Sequence, residues 1–378
     1  MPRTFPIGLL LSTDGTYRRM GSHALAGALD ALAEINDDPR YEFQLQATHI
    51  NPQGQLGRYG EGAAQLMDAG IRHLFGTITS ASRKEIIPDL EQHGGLLWYA
   101  CPYEGFESSE NVLYLGGCPN QTLIPLLRYA LRTFGRRAHL IGSNYVWGWE
   151  SNRIAREVLQ AAGGEVLAEK YVHLGSTTFT EIIKALIADP PAVILNNLVG
   201  ESSYAFLAQL DEACNGCGLS LPVLSCNLTE AELGEVGTLN NLRLLSCGPF
   251  FEAVDPGFSK RQQRRHGLPR CSHYYAGAYA AVHLFAQALQ HTADDDPETI
   301  TAHLHQAAWP SALGTLRIAP HNNHTSLPCH IAELRNGRFC LLHSEDGVLA
   351  PDPYLTATDL SDLRPLRETT PTQLRIVK

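Results

Sequence analysis

Charge is scarce in this 378-residue chain, and positive charge scarcest: 29 Lys and Arg stand against 39 Asp and Glu, a formal net charge of −10. Binding a phosphate backbone takes clustered cations, so a nucleic-acid partner is not expected. The single basic run, Lys260–Arg265, reads as a solvated helix face, with a partner contact as the alternative. Long apolar runs are missing as well. The longest, Tyr274–Leu289, is broken by His283 and Gln287 and falls short of the ~20 apolar residues that a membrane span needs. The apolar stretch within Met1–Ser12 is too short for a secretory leader and lacks a small-residue cleavage site. No nucleotide-binding glycine fingerprint, P-loop or nucleophile elbow occurs, so nothing points to a cofactor or to covalent catalysis. Nine cysteines are an odd set in a chain too large to depend on a disulfide framework, which favours free thiols. The expectation from these absences is a cytoplasmic, non-enzymatic protein with no cofactor, metal or membrane partner.

What is present suits two α/β lobes. Hydrophobic residues make up 44% of the chain, enough for two cores, and a single core stops growing at about 250–300 residues. Short β-rich runs alternate with amphipathic stretches, the pattern of βαβ units building a parallel sheet, and the alternation runs twice. The first series takes strands at 7–12, 43–50, 73–76 and 96–99 with helices at 23–35, 60–69 and 82–92. The second takes helices at 121–134, 152–162, 179–188 and 202–214 with strands at 138–142, 165–172, 192–198 and 222–226. Two further helices (274–289 and 297–307) precede a strand at 315–318 and a hairpin over 330–342, turned by Asn336-Gly337. The predicted architecture is two lobes, each a mainly parallel sheet flanked by helices, with a ligand cleft between them. Residues 1–119 with 250–322 form one lobe, 120–249 with 323–350 the other, and 351–378 a tail. Hinges are expected near Gly117–Gln121, Gly248–Phe251 and Ala319–Thr325.

In open α/β sheets a ligand sits at the carboxyl ends of the strands, where free backbone N–H groups and hydroxyls gather. The strand ends here carry Ile78-Thr79-Ser80, then Tyr99-Ala100-Cys101-Pro102, then Asn144-Tyr145-Val146-Trp147, Asn196-Asn197 and Asn227-Leu228-Thr229. Ser80 or Ser82 caps a helix, and the aromatic-acidic run Trp98–Glu107 reads more as packing than as a ligand wall. Aromatic walls with amide and hydroxyl groups suit a small neutral molecule; an anion would call for Arg or Lys, and only Arg83 and Lys84 lie near. Two tempting clusters carry less. Cys214-Asn-Gly-Cys217 ends a helix instead of opening one, so no helix N-terminus lowers a thiol pKa. His321, His324, Cys329 and His330 straddle a turn without regular ligand spacing and read as exposed imidazoles.

At these same segments, and over nearly the whole chain, the sequence resembles the amide-binding regulators of bacterial aliphatic amidase operons and the urea- and short-chain-amide-binding proteins of ABC transporters. The resemblance is carried by Thr79-Ser-Ala-Ser-Arg-Lys84, Pro102-Tyr-Glu-Gly-Phe-Glu107, Pro119-Asn-Gln121, Ile141-Gly-Ser-Asn-Tyr145, Glu150-Ser-Asn152, Thr229-Glu-Ala-Glu232, Asn322-Asn-His-Thr325 and Pro351-Asp-Pro-Tyr354. It implies a periplasmic-binding-protein type I fold that closes on a ligand without catalysis. It places ligand contacts at Ser80, Tyr99, Cys101, Pro102, Tyr145, Trp147 and Asn227–Thr229, and Ile78, Thr79 and Asn197 complete the candidate set. Ile78 stands where these families carry an aromatic residue, Cys101 where they have threonine, Trp147 where they have tyrosine. Those departures predict a neutral amide-like ligand different from, or larger than, the simplest amides. Glu201 after Val199-Gly200 resembles the transporter branch. The expected role is a ligand sensor that regulates amide-metabolism genes through an RNA-binding antitermination partner, in a homo-oligomer; the alternative is a transporter's binding protein.

Overall fold

The computed structural model describes residues 2–360 and Leu363. The first sheet is built by β1 (Arg3–Leu10), β2 (Phe43–Ile50), β3 (His73–Gly76), β4 (Leu96–Tyr99) and β5 (Val112–Tyr114), with α1 (Arg18–Asp37), α2 (Leu56–Asp68) and α3 (Ser80–His93) as crossovers. Its order is β2-β1-β3-β4-β5, parallel throughout. The central strands His73-Leu-Phe-Gly76 and Leu96-Leu-Trp-Tyr99 are buried along their whole length, as parallel strands covered on both faces must be. The short strand β5 was not expected from the sequence, because three apolar residues after an acidic loop carry no periodicity.

The second lobe repeats the scheme with α4 (Leu123–Thr133), β6 (Arg137–Ser143), α5 (Val146–Ala161), β7 (Glu165–Val172), α6 (Thr180–Ala188), β8 (Val193–Asn197), α7 (Glu201–Cys217), β9 (Leu221–Ser225), α8 (Leu233–Val236) and β10 (Leu242–Gly248). The chain then returns through α9 (Pro256–His266), α10 (His273–Thr292) and α11 (Pro297–Leu304) to a small sheet of β11 (Ala308–Ser311), β12 (Gly314–Ile318) and β13 (Thr325–Ser326). It ends with the hairpin β14 (His330–Arg335) and β15 (Arg338–Ser344), which joins the second sheet antiparallel beside β10 in the order β15-β14-β10-β9-β8-β6-β7. Because β13 still pairs with β12, the third passage between the lobes lies between Ser326 and His330, later than the division expected at 322/323. The basic run lies on α9, where Lys260, Arg261, Arg264 and Arg265 are exposed. Of the tail from Pro351, residues beyond 363 lie outside those described; Pro353 accepts from Phe106 N–H, and Asp352 N–H donates to Asn120 Oδ1.

Gln121 ties the passages together. It lies in the one-turn 3₁₀ helix Pro119–Gln121, and its side-chain amide donates to the carbonyls of Thr325 (2.9 Å) and Leu349 (2.8 Å). On the next passage, Cys247 Sγ donates to the carbonyl of Thr122. A buried amide with both donors used on two separate segments of the chain fixes where the chain pivots.

On the outer layer, α10 lies against α1 through small residues. A Cβ on Gly27 would fall 2.2 Å from the Tyr275 carbonyl oxygen, so the helices can approach only with glycine there. Gly27→Ala is expected to push the two apart and lower stability by about 1–3 kcal/mol; urea denaturation with a wild-type midpoint would refute that packing.

Candidate functional site

The carboxyl ends of both sheets face each other across a cavity of about 30 Å³. From the first lobe it is lined by Ile78, Thr79 and Ser80 after β3, by Cys101 and Pro102 after β4, by Tyr17 just before α1 and Met20 on it, and by Tyr274 on α10. The second lobe adds Tyr145, Trp147, Val199 and Asn227. Eight of the twelve candidate residues are brought together here. In this closed shape the space suits a molecule of a few non-hydrogen atoms, since about 10–15 Å³ holds one water.

The other four candidates lie outside the lining because each is spent on structure. Tyr99 is fully buried and gives its hydroxyl to the Ile78 carbonyl at 3.2 Å, holding the loop that forms the wall. Asn197 donates to Asn152 Oδ1 at 2.9 Å and accepts from Cys226 Sγ, a buried network beneath the cavity. Leu228 packs in the second lobe's core. Thr229 caps the turn Glu230–Glu232: its hydroxyl accepts from Ala231 N–H while its own N–H donates to Glu232. Strand-end position alone does not separate a side chain facing the cleft from one that shapes it. Tyr17, Met20, Val199 and Tyr274 were missed for the complementary reason: as apolar or aromatic residues of helices and loops, they read as ordinary core.

Two helices begin at the cavity. Thr79 is the N-cap of α3, accepting from Ser82 N–H while Ser82 Oγ accepts from Thr79 N–H, so the cap belongs to Thr79 and leaves Ser80 at the first helical position. The N-cap of α5 is Tyr145, with no side-chain cap. Both starts carry N–H groups without intrahelical partners, suited to an acceptor oxygen. No Arg, Lys, His, Asp or Glu lines the cavity. Arg83 lies fully buried inside the first lobe instead, its guanidinium 4.6 Å from the ring centroids of both Tyr99 and Tyr103, ion-paired to Glu104 (3.5 Å) and Glu107 (2.6 Å). Ser80 donates its hydroxyl proton to Glu104. Trp147 is 5% exposed and its indole N–H, buried, meets no acceptor, a situation that costs about 1–3 kcal/mol. Burial pushes the Cys101 thiol up to about 12, so it is a neutral wall group and no nucleophile.

Lobe contacts close the mouth. Arg18 on α1 pairs with Glu201 and, at 3.2 Å, with Glu235; Arg19 donates to Glu235 at 2.7 Å. Tyr274 donates to the Asn227 carbonyl at 2.9 Å. A Cβ on Gly200, whose φ is +57°, would meet the Thr16 carbonyl oxygen at 2.5 Å, so the first lobe sits directly on the start of α7.

The histidine cluster does not assemble. His324 is buried, stacked 4.1 Å from the Tyr114 ring and hydrogen-bonded to Tyr103, which corrects the expectation of an exposed imidazole; burial lowers its pKa to about 4. Among the described residues no group of three or more His, Cys, Asp or Glu could hold a metal ion.

Burial alone would raise the Glu107 carboxyl, but the Arg83 charge and the hydrogen bonds from Arg83 and Lys84 outweigh it and bring the pKa to about 2. A carboxyl depressed on folding contributes stability that is full above its unfolded pKa, about 4.3, and is lost as pH falls toward 2. The contribution is on the order of 3 kcal/mol. Unfolding free energy measured from pH 6 down to pH 2.5 should therefore fall less steeply in Glu107→Gln than in wild type; parallel curves would show that Glu107 is not the linked group.

The model of a periplasmic binding protein domain matches residues 5–359. Among solved structures, a solute-binding protein of an ABC transporter from R. palustris, in complex with benzoate, superposes with a TM-score of 0.82 at 15% identity, covering 93% of this chain and 98% of its own. A leucine-binding protein from Thermotoga maritima gives 0.78 at 14% identity over 90% and 98%. A branched-chain amino acid transporter substrate-binding protein from Streptococcus pneumoniae, in complex with isoleucine, gives 0.79 at 16% over 92% and 100%. With two parallel-sheet lobes, a cavity at their facing strand ends and a domain match along almost its whole length, the chain belongs to the periplasmic-binding-protein type I family, receptors that bind a ligand between two lobes.

Proposed function

We propose that this protein captures a small, neutral, amide-like molecule and passes it to an ABC transporter. The observation that carries the ligand class is the lining. A charged ligand enclosed by Ile78, Cys101, Pro102, Val199 and aromatic rings, with no charged side chain among them, would be desolvated without a counter-charge, which is prohibitive unless the charge is paired. The small cavity weighs in the same direction, against a phenyl ring or a branched amino acid in this closed shape. The solved relatives that bind benzoate or isoleucine share the fold at low identity, and that they are transport proteins supports the transport role.

A second reading, a cytoplasmic ligand sensor acting through an RNA-binding antitermination partner, is favoured by the set of regulator-like motifs and by cysteines that are free, seven of the nine being buried. In either role closure is the message. Contacts made only when the lobes meet lower the free energy of the closed state, and the ligand adds its own preference for that state.

Acetamide and urea, in a thermal-unfolding screen beside acetate, benzoate and isoleucine, are expected to raise the melting temperature. At a hundredfold excess over the dissociation constant the gain is about 2.7 kcal/mol. Stabilisation by the acids alone would overturn the neutral-ligand reading. Arg18→Ala with Arg19→Ala should weaken binding of the responding compound a few-fold, with less effect at high salt, because exposed pairs contribute ~0.2–1 kcal/mol and are screened; isothermal titration at two ionic strengths reads this, and unchanged affinity at low salt would count against the cross-cleft pairs.

A further inference from the structure

We infer that the cavity discriminates by hydrogen-bond polarity: Trp147 donates to the ligand's acceptor, while Glu104, behind the wall, is a positioning residue that turns Ser80 into an acceptor for the ligand's N–H. This rests on the neutral-ligand reading and narrows it to molecules carrying a carbonyl oxygen and an adjacent N–H, the primary amides and ureas.

Two observations from opposite lobes carry it. Of the lining side chains, Trp147 alone holds a buried polar atom with no partner, and an indole N–H can only donate. Ser80 has one hydroxyl proton, and it is committed to Glu104 Oε2. What Ser80 Oγ has left for the cavity is lone pairs. Glu104 cannot turn away from this duty, because it is 2% exposed, paired with the buried Arg83 at 3.5 Å and approached by Lys84 at 3.9 Å. A primary amide satisfies both ends at once, its oxygen toward Trp147 and its N–H toward Ser80. A carboxylate of the same shape satisfies the Trp147 end and sets its second oxygen against the Ser80 lone pairs, with a carboxylate behind them. Volume alone would not separate acetamide from acetate, which are nearly isosteric; this arrangement does.

Isothermal titration of acetamide, urea and acetate into wild type, Trp147→Phe and Glu104→Gln tests it. Trp147→Phe keeps an aromatic wall and removes the N–H. It is expected to lose about tenfold or more in affinity for acetamide, ~1.4 kcal/mol, while its unliganded melting temperature stays equal or rises, since an unpaired buried donor has gone. Glu104→Gln can donate to Ser80 and free its proton, so the acetamide-to-acetate affinity ratio should fall at least several-fold. That ratio is one a merely structural role of Glu104 would not move. If Glu104→Gln does not fold, Ser80→Ala reads the same acceptor and should lose acetamide affinity with its melting temperature preserved. Wild-type affinity for acetamide in Trp147→Phe, or an unchanged ratio in Glu104→Gln, overturns the inference while leaving a neutral ligand standing. Failure of wild type itself to bind acetamide or urea overturns both.

Discussion

The wall of the cleft depends on a cation that never reaches it. Arg83 enters the first lobe from the first turn of α3 and is fully buried between the rings of Tyr99 and Tyr103, with Glu104 and Glu107 as counter-charges. A guanidinium so placed cannot be dispensed with piecemeal, because removing one partner strands the others in a medium of low dielectric. Each partner in turn holds something else. Glu104 receives the Ser80 hydroxyl, Glu107 receives the hydroxyl of Tyr114 at 2.9 Å, and Tyr99 grips the Ile78 carbonyl. The loops after β3 and β4 are thus locked to each other through charge, and the cavity presents only the neutral outer surface of that cluster.

Rigidity in the first lobe makes a small cavity selective. A pocket of few atoms discriminates by hydrogen-bond direction only if its groups cannot rotate to accommodate the wrong ligand. Ser80 meets this condition through Glu104, and Thr79 through the reciprocal bonds with Ser82. The second lobe brings Tyr145 and Trp147 on the start of α5 and Asn227 after β9, and it can be presented or withdrawn because the link between lobes is three short passages gathered by Gln121. Selection and closure are therefore divided between a fixed wall and a moving one.

The sequence made the scaffold legible because parallel strands buried on both faces announce themselves as short apolar runs: 73–76 and 96–99 coincide with β3 and β4, while the half-exposed edge strands β2 and β7 fall at 43–50 and 165–172, where the alternation of elements placed them. Helix starts were less legible. The sequence placed the beginning of α5 at Asn152 and the structure places it at Val146, since Tyr145-Val-Trp-Gly-Trp looks like a strand end and its helical state is imposed by packing over β6. The same limit governed the site. Residues named for their position at strand ends line the cavity where the chain turns outward, as at Ile78–Ser80 and Cys101–Pro102, and lie outside it where a side chain stabilises the turn or a buried network, as at Thr229 and Asn197. Tyr274 was invisible for a different reason: it reaches the cavity from a helix more than a hundred residues from the other first-lobe wall residues, and no local pattern reports such a contact.

The departures from the amide-receptor pattern that the sequence resembles acquire a physical meaning in this geometry. Ile78 puts an alkyl group where that pattern has an aromatic residue, Cys101 puts a thiol where it has a threonine hydroxyl, and the thiol is already turned to the Thr77 carbonyl at 3.5 Å. At Cys101 the wall thereby lacks a hydroxyl, which would serve as donor or acceptor on demand. Beside the hydroxyls of Tyr17 and Tyr145 and the Asn227 amide, the lining holds groups of fixed polarity: an indole that only donates, a serine oxygen whose proton is committed to Glu104, and helix-start N–H groups that only donate. A site with fewer hydrogen bonds binds its ligand less by number than by agreement in direction. On the proposed reading, a thiol at Cys101 and an indole at Trp147, in place of a hydroxyl and a phenol, tighten which of the ligand's atoms must give and which must receive a proton.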